Sequence, residues 1–282
     1  MRILAGLRDV AGQYDGYVLD LWGVLFNGQT PTPYALETLR ALHAAGKRTV
    51  VLSNAPRRAH LVERRMNEIG IPAGLYDHVH SSGEETWQHL KRRDDAFYAS
   101  LGSACFHIGP QRDDNMVEGV GLRRVPSVEE ADFILNTGPG ADERIEAFEP
   151  MLRAARQRDL KMVCANPDLV VAYGEKLFLC GGAIAQRYEE MGGKVRWHGK
   201  PLPDVYETAF RLLAIEDKRR ILAIGDSIRT DIAGANAAGI DSLFVVTGIH
   251  AEELSAIDPS RLAAAFGTHG ESPTAVIDYF KW

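Results

Sequence analysis

Continuous apolar strands separated by amphipathic helices predict an α/β fold, a parallel-sheet core carrying a second, inserted α/β unit. Three observations lead there. Four segments, GYVLDLWGVL, KRTVVLSNA, RRILAIGDS and SLFVVTG, each carry a continuous apolar run, as strands covered on both faces must. Helical patterns lie between them, the signature of parallel strands joined by crossovers. The chain has 282 residues, more than a single core usually serves.

The elements follow in order. TPYALETLRALHAAG carries Leu36, Leu39 and Leu42 at helical spacing and stops at Gly46. RRAHLVERRMNEIG is a second helix ending at Gly70, and its basic cluster reads as a solvated face. SACFHIGP, ADFILNTGP and LKMVCANPD repeat the strand-then-turn grammar, with DERIEAFEPMLRAARQRD as a helix between the last two. Near the other end, RTDIAGANAAG reads as a small-residue helix. The expected division is a core of residues 1–80 and 195–282 with a cap of 81–194 inserted between them.

Composition narrows the function. The chain is 45% hydrophobic and 25% charged, with a net charge of −6 and a pI near 5.9. That balance argues against a nucleic-acid surface. Cys105, Cys164 and Cys180 are odd in number and lack C-x-x-C spacing, which predicts reduced, mostly buried thiols in a cytoplasmic protein rather than zinc ligands. The N-terminal stretch has no long apolar run, and no segment approaches the length that spans a bilayer. A homo-oligomer is compatible with this reading.

Ligands of open parallel sheets bind beyond the carboxyl ends of the strands. Asp20 stands at one such end, Ser53 and Asn54 at a second, Asp226 at a third with Asp231 following, and Lys200 precedes a helix in HGKPLPDVY. Taken singly, each residue is an ordinary cap, turn or loop. Together they suit phosphoryl transfer. A carboxylate can attack phosphorus, paired carboxylates can hold Mg2+, and Ser, Asn and Lys can meet the phosphoryl oxygens.

DLWGVL, LSNAPR, GKP and GDSIRTDIAGANAAGI resemble the four motifs of the haloacid dehalogenase superfamily of phosphatases. The long insertion between the second and third motifs is similar to the class IIA, NagD-like or nitrophenylphosphatase-like branch, as are SSGEET, CANPD, CGGAIAQRYEEMGGK and VVTG. The resemblance covers nearly the whole chain. It implies a Rossmann-like core with an α/β cap, a Mg2+ cofactor and a small phosphorylated substrate, sugar phosphates among the candidates. It casts Asp20 as nucleophile, and Asp226, Asp231 and the Trp22 backbone carbonyl as further metal ligands beside Asp20. Ser53, Asn54 and Lys200 become phosphate-binding groups. Asn166, Pro167 and Asp168 match a cap loop facing the site.

Trp22 departs from the pattern. Most phosphatases of this superfamily carry a second aspartate two residues after the nucleophile, which protonates the leaving group and then activates water. An indole cannot do this near neutral pH. Three readings stay open: another acid or base serves, the protein is a phosphometabolite sensor with little turnover, or Trp22 is a specificity wall. His198 is one nearby candidate acid, although a surface histidine before a turn is the plainer expectation. His107 reads as structural, and His250, in GIHAEEL on the catalytic edge, is the stronger of those two. Trp87, Trp197 and Trp282 read as packing.

Overall fold

The structure is a computed structural model that describes residues 2–140, 143–173, 176–250, 254 and 258–282, without the side chains of 172 and 173. The chain opens with an edge strand β1 (Arg2–Ile3) and then the buried β2 (Gly16–Leu19). Next come α1 (Ala35–Ala44), β3 (Arg48–Ser53), α2 (Ala59–Glu68) and β4 (His78–Ser81). Helix α3 (Ser82–Arg92) leads away from this sheet. A second unit follows, with α4 (Ala96–Ala99), β5 (Ala104–Ile108), β6 (Arg123–Val125), β7 (Phe133–Asn136), α5 (Glu149–Gln157) and β8 (Lys161–Cys164). It continues through the hairpin β9 (Val170–Tyr173) and β10 (Lys176–Leu179), α6 (Gly181–Glu190) and β11 (Lys194–Trp197). The chain then returns to the first sheet through α7 (Pro203–Leu213), β12 (Ile221–Gly225), α8 (Ala233–Ala238), β13 (Asp241–Val245), α9 (Pro259–His269) and β14 (Ala275–Ile277).

The first sheet has the order β1-β14-β13-β12-β2-β3-β4 and is parallel throughout. Its strands are buried on both faces. Leu19, Val51 and Ile224 pack on one side with α1 and α2, while Val18, Val50 and Ala223 pack on the other against Val205, Tyr206 and Phe210 of α7. This is the period-2 alternation of a strand with both faces apolar. From β2 the chain builds outward to β3 and β4, and later to β12, β13 and β14 on the opposite side. The switch point therefore lies between β2 and β12, and the crevice beyond their carboxyl ends is the natural ligand site.

The second sheet has the order β11-β8-β7-β5-β6 and is also parallel. Its last strand corrects one expected boundary. Lys194–Trp197 pairs with Lys161–Cys164, so this sheet runs to 197 rather than ending at 194. Two more local expectations shift. The first apolar run is a strand only to Leu19, because Gly23 adopts φ +83° and Leu25 N–H turns back to the Leu21 carbonyl. The small-residue helix begins as one wide turn, Ile228–Ile232, in which Ile232 N–H reaches the Ser227 carbonyl, before α8 starts at Ala233. The helix expected from Asp142 is regular over Glu149–Gln157; Asp142 itself lies outside the described residues. All three cysteines are free and buried. No helix among the described residues is long and apolar enough to cross a membrane.

Candidate active site

The end of β2 places Asp20 at the switch point, its N–H bonded to the Ile224 carbonyl of the neighbouring strand at 2.9 Å. Asp226 follows β12, and the wide turn after it brings Asp231 back toward the same crevice. Carboxylate oxygens of these three residues lie within 4.8 Å of one another, and all three side chains are buried. Tight backbone approach makes room for them. A Cβ at Gly23 would sit 1.9 Å from Asp226 Oδ2, so only glycine fits there. Asp226 Oδ2 also accepts the Ile249 N–H at 2.6 Å, and Asp231 Oδ2 accepts the Ser227 N–H at 3.1 Å.

Lys200 joins this group from the other side of the sequence. Its Nζ donates to Asp20 Oδ1 at 2.5 Å and to Asp231 Oδ1 at 2.7 Å, and the residue is only 3% exposed. Burial opposes the charge on Lys200, but Asp20 and Asp231 outweigh it and hold the ammonium above its usual range. One lysine cannot balance three carboxylates. Burial, with Asp20 and Asp231 adding to it, pushes Asp226 well up. Burial likewise raises Asp20 despite Lys200. A cluster of hard oxygens with this deficit of positive charge fits a divalent cation.

Asn54 is the bracket between motifs. Its Oδ1 accepts the Lys200 N–H at 2.8 Å, and its Nδ2 donates to the Lys200 carbonyl at 3.2 Å and to Asp168 Oδ1 at 2.9 Å. Ser53 turns its hydroxyl inward and accepts the Ala55 N–H at 3.2 Å. The loop after β8 forms a roof over this edge. Asn166 Oδ1 accepts the Asp168 N–H at 3.0 Å, and the Pro167 carbonyl accepts Arg229 Nη2 at 2.7 Å. Gly199 seals the joint: at φ +96° it faces Asn54, Pro167 and Ser82 so closely that a Cβ would lie within 3 Å of each.

Trp22 lies half-buried with its ring edge-on to Phe26, centroids 4.9 Å apart, and it packs on the core cluster. It is a packing residue at the rim of the site. His198 is not the expected surface histidine. It is 3% exposed, with Nδ1 3.3 Å from Glu85 Oε2 and Nε2 hydrogen-bonded to the Tyr98 hydroxyl. Both ring nitrogens are engaged away from the carboxylates. His107 is buried and bonded to Thr137 at 2.9 Å, and the His250 ring lies 6.0 Å from that of Phe244. Trp87 stacks under the Arg58 guanidinium, and Trp197 donates to Glu189.

Three elements escaped sequence reasoning. Arg229 tethers the roof loop to the core. Arg57, just after the asparagine, pairs with buried Asp113 at 2.9 Å. Glu85 bonds His198 and also accepts the Gly199 N–H at 3.3 Å. Each of these side chains looks like a solvated charge in sequence, and only the closure of the second unit on the first reveals its partner.

Residues 17–123 match the family model for haloacid dehalogenase-like hydrolases, and residues 197–280 match the HAD-hydrolase-like model. A solved hydrolase of the haloacid dehalogenase-like family from Brucella suis superposes with a TM-score of 0.83 at 32% identity, covering 98% of each chain. The chain belongs to the haloacid dehalogenase-like hydrolases. The inserted α/β cap marks class IIA. The D-glycerol 3-phosphate phosphatase of Mycobacterium tuberculosis is 30% identical over 245 residues; the match covers 86% of this chain and 66% of that longer protein. A glycerol phosphate phosphatase from the same organism, solved in complex with magnesium, has a TM-score of 0.68 at 27% identity, covering 96% of this chain and 77% of the other. The chain is a phosphoric monoester hydrolase of this family.

Proposed function

We propose that this hydrolase cleaves small phosphomonoesters, sugar phosphates among them, through an aspartyl-phosphate on Asp20. The observation that carries this reading is the pairing of Asp20 with Lys200 at 2.5 Å, beside two further buried carboxylates and beneath a closed cap loop. In the proposed mechanism Lys200 orients Asp20 for attack and faces the phosphoryl oxygens as charge shifts among them. Asp20, Asp226, Asp231 and the Trp22 carbonyl would hold Mg2+, which would supply positive charge against the carboxylates and the phosphoryl group. Asn54 spans the phosphate motif and the lysine loop, so it holds their spacing beside the phosphoryl group. Ser53 supports that turn through Ala55. The cap, 81–194 extended to the end of β11, closes over the leaving group and supplies Asn166, Pro167 and Asp168 as its contacts. The buried free thiols and the acidic surface accord with a cytoplasmic enzyme that takes small substrates and no nucleic acid.

A panel of phosphorylated metabolites with Mg2+, read as released phosphate, tests this. Turnover of at least one ester, with label trapped on Asp20, is the expected result. Tight binding with neither turnover nor label would make the protein a sensor instead.

A further inference from the structure

Trp22 leaves the proton chemistry without a donor at its usual place, and the cap fills that gap. We propose that Asp168 is the general acid and base of this enzyme, acting from the cap loop in place of the missing core aspartate. The assignment rests on the reading of Asp20 as nucleophile.

Three observations converge on it. An in-line displacement puts the leaving oxygen on the side of phosphorus opposite the nucleophile. Asp20 is on the core floor, so that oxygen points toward the cap loop. Asp168 is held at this spot. Its carboxylate shares Asn54 with the phosphate motif, its N–H is pinned by Asn166, and its carbonyl accepts the Gly182 N–H at 3.0 Å. Asn54 also brackets Lys200, the partner of Asp20, so hydrogen bonds tie Asp168 to the lysine loop beside the nucleophile. Asp168 is near enough that its charge bears on Asp20.

The other acids are engaged elsewhere. Asp226 and Asp231 belong to the metal group, Asp113 is paired with Arg57, and Glu85 is bonded to His198 and Gly199. Asp168 keeps 31% of its side chain exposed, with Arg229 Nη2 at 3.8 Å. Enclosure between core and cap pushes its carboxyl up, with Asp231 adding to the rise. Asn54, Lys200 and Arg229 pull the other way. A phosphoryl dianion arriving beside it favours the protonated form further.

The steps balance. An Asp20 oxygen bonds to phosphorus, and the bond from phosphorus to the ester oxygen breaks with its electron pair on that oxygen. The oxygen takes the Asp168 proton and leaves as an alcohol. The Asp168 carboxylate then takes a proton from water, whose oxygen bonds to phosphorus. The bond to Asp20 breaks, its electron pair returns to the carboxylate, and phosphate departs with Asp168 protonated again.

Asp168→Asn keeps an oxygen for Asn54 and removes the proton. The experiment compares glycerol 3-phosphate, a poor leaving group, with 4-nitrophenyl phosphate, a good one, in wild type and D168N with Mg2+. The expected loss in kcat for the alkyl ester is about 10²–10⁴-fold. The first turnover of the nitrophenyl ester should fall far less and appear as a burst of about one nitrophenolate per enzyme, because hydrolysis of the aspartyl-phosphate has lost its base. Equal losses for both esters, or a raised KM with kcat unchanged, would overturn the assignment and make Asp168 a substrate-binding residue. Formate added to Asp168→Ala gives a second readout. Restoration of alkyl-ester turnover by about tenfold or more supports the acid role, and no restoration overturns it. If the wild-type protein turns over neither ester, it is the phosphatase reading that fails.

Discussion

Two compact groups of potential metal ligands sit about the junction of core and cap, and they behave as opposites. Asp20, Asp226 and Asp231 form one, and Glu85, His89 and His198 the other; in each the ligand atoms lie within 4.8 Å of one another. The acidic group is over-charged, with three buried carboxylates and Lys200 as the cation in contact with Asp20 and Asp231. In the second group the one carboxylate is matched, and Glu85 and His198 are satisfied. Glu85 takes the His198 ring and the Gly199 N–H, and Tyr98 takes the other nitrogen of His198. The His89 ring stacks on Tyr98 with Asp94 3.8 Å from Nδ1, and burial, with His198 adding to it, lowers its basicity. Proximity of ligand atoms is thus a weak criterion. What distinguishes a metal centre is charge that the protein leaves unbalanced. The satisfied group instead ties together both connections between the domains, α3 on the way out and the loop after β11 on the way back.

The comparison can be broken at either side. The largest effect expected is chemical. Asp20→Asn should lower phosphate release on the order of 10⁴-fold or more, measured at saturating Mg2+ with the best ester. Retained activity would remove Asp20 from the centre. Next in size is the cost of opening the satisfied group. Glu85→Ala strands His198 and the Gly199 N–H in a buried place and should destabilise by about 3–5 kcal/mol, read from urea unfolding. Glu85→Gln keeps an acceptor, and a loss of about 1 kcal/mol is expected. Equal losses would mean that the carboxylate is not what binds the two connections.

Metal linkage comes third. Mg2+ at a hundredfold excess over its dissociation constant should stabilise wild type by about 2.7 kcal/mol and Asp226→Asn much less, seen as the change in thermal midpoint. Zn2+ should give no increment that His89→Ala abolishes; such an increment would turn the satisfied group into a metal centre. The smallest effect is in acid. Burial tends to raise the Glu85 carboxyl, but the His198 contact and the Gly199 N–H hold it below the ordinary 4.5. The unfolded chain therefore binds this proton first. The contribution is fully present above pH 4.5 and is lost as pH falls through the lower folded value. The stability gap between wild type and Glu85→Gln should narrow as pH falls across that interval.

Legibility in the sequence followed the range of the forces involved. Asp20 stood out because a carboxylate inside an apolar run contradicts its surroundings. Asn54 and Asp226 were visible because strand ends converge on one edge of any parallel sheet, and Lys200 and Asp231 because they complete the motif set with them. His198 was misjudged because nothing local distinguishes a histidine before a turn from one buried between Glu85 and Tyr98, 113 and 100 positions away. Arg57, in the basic cluster read as a solvated face, was misjudged for the same reason.

By itself, then, the sequence determined the alternation of strands and helices, the acids at the switch point, and the absence of an acid at position 22. Those features depend on periodicity and on spacing within single elements. The tertiary structure decided what surrounds them: that Asn54 joins Lys200 to Asp168, that Trp22 packs on Phe26, that the cap sheet extends to Trp197, and that two of the three carboxylates share one lysine. Each of these depends on contacts between residues far apart in the chain, and burial and charge balance are properties of the assembled neighbourhood rather than of any segment.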